Sequence, residues 1–193
     1  MKKILMLLFL FPLSGLFAQN WESKYDNVDD CINGLSKVRK ADKIGYVSKA
    51  GKEVIPLQYD EGLSCSEGYV AVRKGSRWLF IDSVGKPLTE AVFEDAMSFS
   101  GGLAPVAKNG LYGFINKKGE QVIPFMFSNA HGFSQGLAPA CNAKGFWGFI
   151  DTKGTWVISP VYDYSDSFVN GEARVIKGSK VFYIDRNNKM LHE

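Results

Sequence analysis

"YGFINKKGEQVIPF", residues 112–125, returns further along the chain as "WGFIDTKGTWVISP", residues 147–160. Aromatic answers aromatic in the two phrases, and glycine answers glycine. The echo runs well beyond this pair. The aromatic before the turn falls at Tyr46, Phe80, Phe114, Phe149 and Tyr183, with separations of 34, 34, 35 and 34. A glycine series falls at Gly68, Gly102, Gly136 and Gly171, and a second aromatic series at Tyr59, Phe93, Phe127 and Tyr162. Three series sharing one period define a tandem repeat. Stepping back one period from Tyr59 and Gly68 lands on Tyr25 and Gly34, so "YDNVDDCING" opens a degenerate first unit. Five units then occupy about 25–58, 59–92, 93–126, 127–161 and 162–193 of the expected 19–193 repeat domain. Within these residues no separate catalytic domain is expected.

Unit three displays the plan of one repeat. "GLAPVAKNGLYGFIN" holds two apolar segments around Asn109 and Gly110. Asn-Gly between apolar runs signals a hairpin, because a type I′ turn requires positive φ at both central residues. A second turn follows in "SKAG", "DSVG", "NKKG", "DTKG" and "DRNN". Its leading Ser, Asp or Asn accepts a backbone N–H two residues on, and its last residue tolerates the left-handed region. A third apolar segment, such as "EQVIP", closes the unit. The pattern predicts an all-β fold of five tandem three-stranded antiparallel meanders. Apolar residues occupy both parities of "YGFIN" and "LAPVA". Both faces of each sheet are therefore expected to be covered, where a half-wet sheet would alternate. The cover must be the neighbouring units, packed face to face as a propeller-like fan or an open β superhelix.

The amino terminus reads differently. "MKKILMLLFLFPLSGLFAQN" has two lysines, an apolar run over residues 4–17 and then Ala18. This is the layout of a secretory signal, expected over 1–18 with cleavage after Ala18. The run is shorter than the roughly 18 to 20 residues of a membrane-spanning helix, so no integral anchor is expected after cleavage. Removing Lys2 and Lys3 leaves 21 basic against 20 acidic residues, a net charge of +1. With no cluster of basic residues, nucleic acid is not an expected partner. The expected location is the periplasm, cell surface or extracellular space.

The phrases "WGFID" at 147–151, "YGFIN" at 112–116 and "GLAPV" at 102–106 resemble the WG-repeat (WG containing β-repeat) family of bacterial exported proteins. The resemblance covers essentially all of the chain after the signal. It departs where Ile44 and Val181 replace the tryptophan, and where Leu79 and Phe182 replace the glycine. It implies a repeat architecture used as an interaction module, and no particular activity.

Candidate chemistry is sparse. The two histidines are His131, in a connector, and His192, at the last residue but one. Ser134 lies near His131 in sequence, but connector serines recur in other units, so a serine–histidine reading has little to stand on. Asp82, Asp151 and Asp185 share one position with Asn116. A calcium site is one reading, and a turn residue bonding its own backbone is the plainer one. No metal or cofactor is expected. Trp78, Tyr112 and Trp147 share another position, and form either an aromatic row for a ligand or part of the buried joint. Trp156 stands where unit three has Gln121, which makes it the candidate for an individual exposed aromatic. Cys31 and Cys65 are equivalent positions that later units fill with Phe99, Phe133 and Phe168. An oxidising compartment permits a disulfide there. Against it, equivalent points on packed sheets lie about 10 Å apart, beyond the roughly 7 Å Cα limit. The expected function is that of a non-enzymatic exported interaction or scaffold module with an unknown protein partner. The alternative is an envelope carbohydrate-binding protein that meets a glycan through exposed aromatics.

Overall fold

The computed structural model describes residues 21–193. The signal expected over 1–18 lies outside the described residues. After a short 3-10 turn at Trp21–Lys24 the chain is built from strands. No helix among the described residues is long and apolar enough to cross a membrane.

Five antiparallel sheets follow one another. The first contains β1 (Asn27–Val28), β2 (Leu35–Lys40), β3 (Lys43–Ser48) and β4 (Glu53–Tyr59) in that order. The second holds β5 (Glu61–Gly62), β6 (Tyr69–Lys74) and β7 (Arg77–Asp82). The third comprises β8 (Asp95–Ala96), β9 (Leu103–Lys108), β10 (Leu111–Asn116) and β11 (Gln121–Phe127). The fourth comprises β12 (Asn129–Ala130), β13 (Ala138–Cys141), β14 (Trp147–Ile150) and β15 (Trp156–Tyr162). The fifth comprises β16 (Tyr164–Ser165), β17 (Glu172–Lys177), β18 (Lys180–Asp185) and β19 (Met190–His192).

The expected three-stranded meander is thus corrected: four of the five sheets are four-stranded. The added strand comes from the connector. In unit three Asp95 and Ala96 pair with Ala107 and Val106 of β9. A tight turn then reverses the chain, as at Gln135 (φ 52°) and Gly136 (φ 83°) in unit four. Two residues of regular pairing leave no hydrophobic period to read.

The glycine of the "WG" phrase has a steric cause. Between Tyr112 and Phe114 of β10 the partner on β11 jumps from Phe127 to Ile123. The two surplus residues bulge toward β10. A Cβ on Gly113 would lie 2.7 Å from the Ile123 carbonyl oxygen, and one on Gly148 would lie 2.4 Å from that of Ile158. Gly45 meets Ile55 in the same way at 2.7 Å. In the second sheet Leu79 stands at this position, and the following segment forms no continuous strand, meeting β7 through the isolated bridges Trp78↔Phe93 and Ile81↔Pro87 and through Leu88 and Thr89, which bond to Phe80. In the fifth, β19 pairs at His192 with Tyr183 and does not pass over Phe182. Larger residues stand only where no bulge presses on them.

Four hydrophobic cores lie between the five sheets, each drawn from two successive units. Three of the joints centre on one ring from each side. Phe80 packs on Phe99 at 5.0 Å, Phe114 on Phe133 at 5.1 Å, and Phe149 on Phe168 at 4.7 Å. The first joint is built differently, with Tyr46 against Cys65. The Tyr46 hydroxyl donates to the Leu63 carbonyl at 2.7 Å. It occupies the place where Ala96 and Ala130 carry methyl groups in later units: a Cβ on Gly62 would lie 2.1 Å from it. A larger tyrosine is matched by a smaller glycine and cysteine.

Candidate functional site

The aromatic row from the sequence is part of these joints. Trp78 is 8% exposed and Trp147 6%. Tyr112 is half-buried and donates its hydroxyl to Asp95. Burial, reinforced by that carboxylate, pushes the phenol above its ordinary range. Trp156 is half-buried and stands edge-on to Phe127 of the preceding sheet, with ring centroids 5.5 Å apart. Trp78 and Trp147 present no open ring face for a ligand to stack on.

The acidic turn residues serve their own backbone. Asp82 Oδ1 accepts from the N–H of Val84 and Lys86, and Asp151 Oδ1 from those of Lys153 and Thr155. Asn116 and Asp185 repeat the pattern. Among the described residues no group of three or more His, Cys, Asp or Glu side chains is arranged to hold a metal ion. A second acidic series went unread in the sequence. Asp26, Asp60, Glu94 and Asp163, each following the aromatic that opens a unit, accept from the backbone of the hairpin turn at Ala41, Gly75, Gly110 and Gly178. Their spacing of one residue after the 34-residue aromatic series was the available signal.

Cys31 and Cys65 are both free thiols, so the candidate bridge is not formed. Cys65 is buried in the first joint, where burial raises its pKa, while Cys31 is exposed on the flank of unit one. His131 lies against Trp147 at 4.8 Å and Tyr164 at 6.1 Å. Burial lowers its pKa, opposed by Asp166. The Ser134 hydroxyl donates to the Phe168 carbonyl across the joint. That bond repeats at Ser66, which reaches Phe99 at 2.7 Å, and at Ser100, which reaches Phe133. Serine here fastens one unit to the next.

What the fold leaves open is an apolar edge. Val122 and Met126 of β11 are 43% and 52% exposed, and Val157 and Val161 of β15 are 51% and 39%. These strands form the borders of their sheets. Pro124 and Pro160 lie within them and offer no N–H, which blocks pairing by an added strand. A partner on this edge must therefore meet side chains.

The profile described as "WG containing repeat" matches residues 44–78, 80–112, 112–144 and 147–180. None of the curated proteins compared matches the chain. Among solved structures, BamB from Moraxella catarrhalis is similar at a TM-score of 0.53 and 13% identity, over 86% of this chain and 59% of that one. Kluyvelomyces marxianus Hsv2 is similar at 0.54 and 11%, over 81% and 60%. A eukaryotic initiation factor is similar at 0.57 and 8%, over 86% and 54%. The chain spans less than two thirds of each. At such identities the likeness concerns the fold alone: an all-β array of antiparallel sheets with propeller-like neighbours.

Proposed function

The chain belongs to the WG containing repeat family, and on that premise we propose that it is a non-enzymatic interaction or scaffold module that works after export. One observation carries the reading: the apolar edge formed by Val122, Met126, Val157 and Val161. Exposed apolar surface gathered along neighbouring elements marks a surface for another protein. Elsewhere the recurring side chains are committed to joints and turns, so specificity belongs to residues that vary between units. Export rests on the amino-terminal signal reading.

The test compares the mature chain with a Met126→Glu, Val157→Glu variant in cross-linking against an envelope extract. Both positions are exposed, so the variant is expected to melt within a few degrees of the parent. Proteins cross-linked to the parent should be lost from the variant. Identical products from both would remove the edge from consideration. The glycan reading finds less support, because Trp78 and Trp147 are buried. Tryptophan fluorescence quenched by an envelope glycan would reverse that order.

A further inference from the structure

The joints can be compared with one another, and one of them lacks a charge that another contains. Between units two and three, the Glu67 carboxylate lies between the Gly102 N–H at 3.1 Å and Lys117 Nζ at 2.9 Å. Burial opposes its ionisation, but Lys117 and the Gly102 N–H outweigh that and lower its pKa. Between units four and five the same two positions are Gln135 and Arg186. Gln135 Oε1 still accepts the Gly171 N–H, at 3.0 Å. As a neutral amide it supplies no counter-charge. Arg186 is exposed and makes no hydrogen bond or ion pair with any described residue. Its guanidinium lies over Gly136, with Nη2 3.6 Å from where a Cβ would stand, an ordinary contact distance.

Beside it lies a cleft of about 530 Å³ lined by Gly136, Leu137, Asp151, Val157, Arg186 and Asn187. That volume suits a small ligand or a peptide end. Its walls combine a planar cation, which favours bidentate carboxylate binding, with the exposed apolar side chain of Val157, while Leu137 borders the cleft from the core and is 3% exposed. Asp151 is bound to its own turn through Oδ1 and remains a negative charge on the wall. It disfavours a ligand with a second anionic group.

We propose that this cleft binds a single carboxylate carried on a short apolar group, with Arg186 taking the charge and the exposed Val157 side chain the apolar part. The site needs no second protein but shares Val157 with the edge described above, so Arg186→Ala, which leaves all four edge residues in place, separates the two readings. Two sources supply this chemistry, a free monocarboxylic acid and the carboxyl end of a peptide.

The test titrates the full chain with N-acetyl-leucine, its amide and succinate, following the methyl resonances of Leu137 and Val157. N-acetyl-leucine should give saturable shifts, with binding at least tenfold weaker for the amide and for succinate. Arg186→Ala should weaken the acid at least tenfold. Gln135→Glu should do the same by giving Arg186 an internal carboxylate, as Glu67 does for Lys117. Asp151→Asn, which can keep its turn as Asn116 does, should narrow the gap between N-acetyl-leucine and succinate. A hexapeptide ending in leucine separates the sources: tighter binding than the free acid assigns the cleft to chain ends, and equal or weaker binding to free acids. Acid and amide binding alike, no saturable shift, or unchanged affinity in both Arg186→Ala and Gln135→Glu would overturn the proposal.

Discussion

At Gly148 a single hydrogen decides whether the neighbouring strand can approach. A methyl there would come within 2.4 Å of a carbonyl oxygen and 2.7 Å of the Pro160 nitrogen, both backbone atoms that cannot rotate away. Gly148→Ala should therefore cost about 2 to 3 kcal/mol, the upper part of the range for overpacked sites, measured as a urea midpoint shift. Leu79→Ala should behave as an ordinary truncation, because no bulge lies over Leu79. Ser165 offers the opposite opportunity. It is fully buried in the fourth joint, its hydroxyl has no hydrogen-bond partner, and units three and four place Ala96 and Ala130 there. Ser165→Ala should raise stability by about 1 kcal/mol, since an unpaired buried hydroxyl is a cost. Both glycine series could be read from the chain, but their causes differ in visibility. Gly136 announces a turn by its neighbours, whereas Gly148 answers to a strand ten residues away, and spacing does not show which atoms approach it.

Elements show the same division. Hairpins and second turns were legible from Asn-Gly, Asp and the recurring glycines, because turn chemistry is local. The short strands were not, since Asp95 and Ala96 join a sheet through backbone pairing alone. The first joint was equally hidden: Tyr46 and Phe80 look interchangeable until Gly62 and Cys65 are seen beside Tyr46. Cys65→Phe alone should destabilise by about 1 to 3 kcal/mol as overpacking. Combined with Tyr46→Phe and Gly62→Ala, which copies the second joint, it should recover most of that loss, and a mutant cycle in urea measures the coupling. The acidic turn caps set the acid limit of the hairpins. Lys43 and the Gly75 N–H lower the pKa of Asp60, and the Gly110 N–H and Arg77 lower that of Glu94. A depressed folded value means stabilisation is complete above the ordinary carboxylate pKa of about 4 and is lost as pH falls through the folded value. Asp60→Ala with Glu94→Ala should flatten the fall in urea midpoint below about pH 4.

The whole molecule is an array in which each sheet finds its core only against a neighbour. Among the described residues four cores each join successive units, as do the hydroxyl bonds of Ser66, Ser100 and Ser134. Residues 95–127 alone, one complete sheet, should show no cooperative melt in circular dichroism, whereas residues 21–193 should melt sharply. A steep transition in the single sheet would contradict this. The period made the array legible. Gln135 and Arg186 escaped notice because their meaning lies in a contrast between joints, which becomes visible only when equivalent positions are set side by side in space. The odd fit of Tyr46 to Gly62 has a bearing on how the chain avoids tangling. Three joints share one ring-on-ring pattern and could in principle exchange partners within or between molecules, a known hazard of near-identical modules. Unit one is excluded from that exchange: docked onto any other sheet, its hydroxyl would strike an alanine methyl, a serine Cβ or a phenylalanine ring. The opening unit thus carries a key cut for one lock, and a nascent chain that seats it correctly sets the alignment of everything after it.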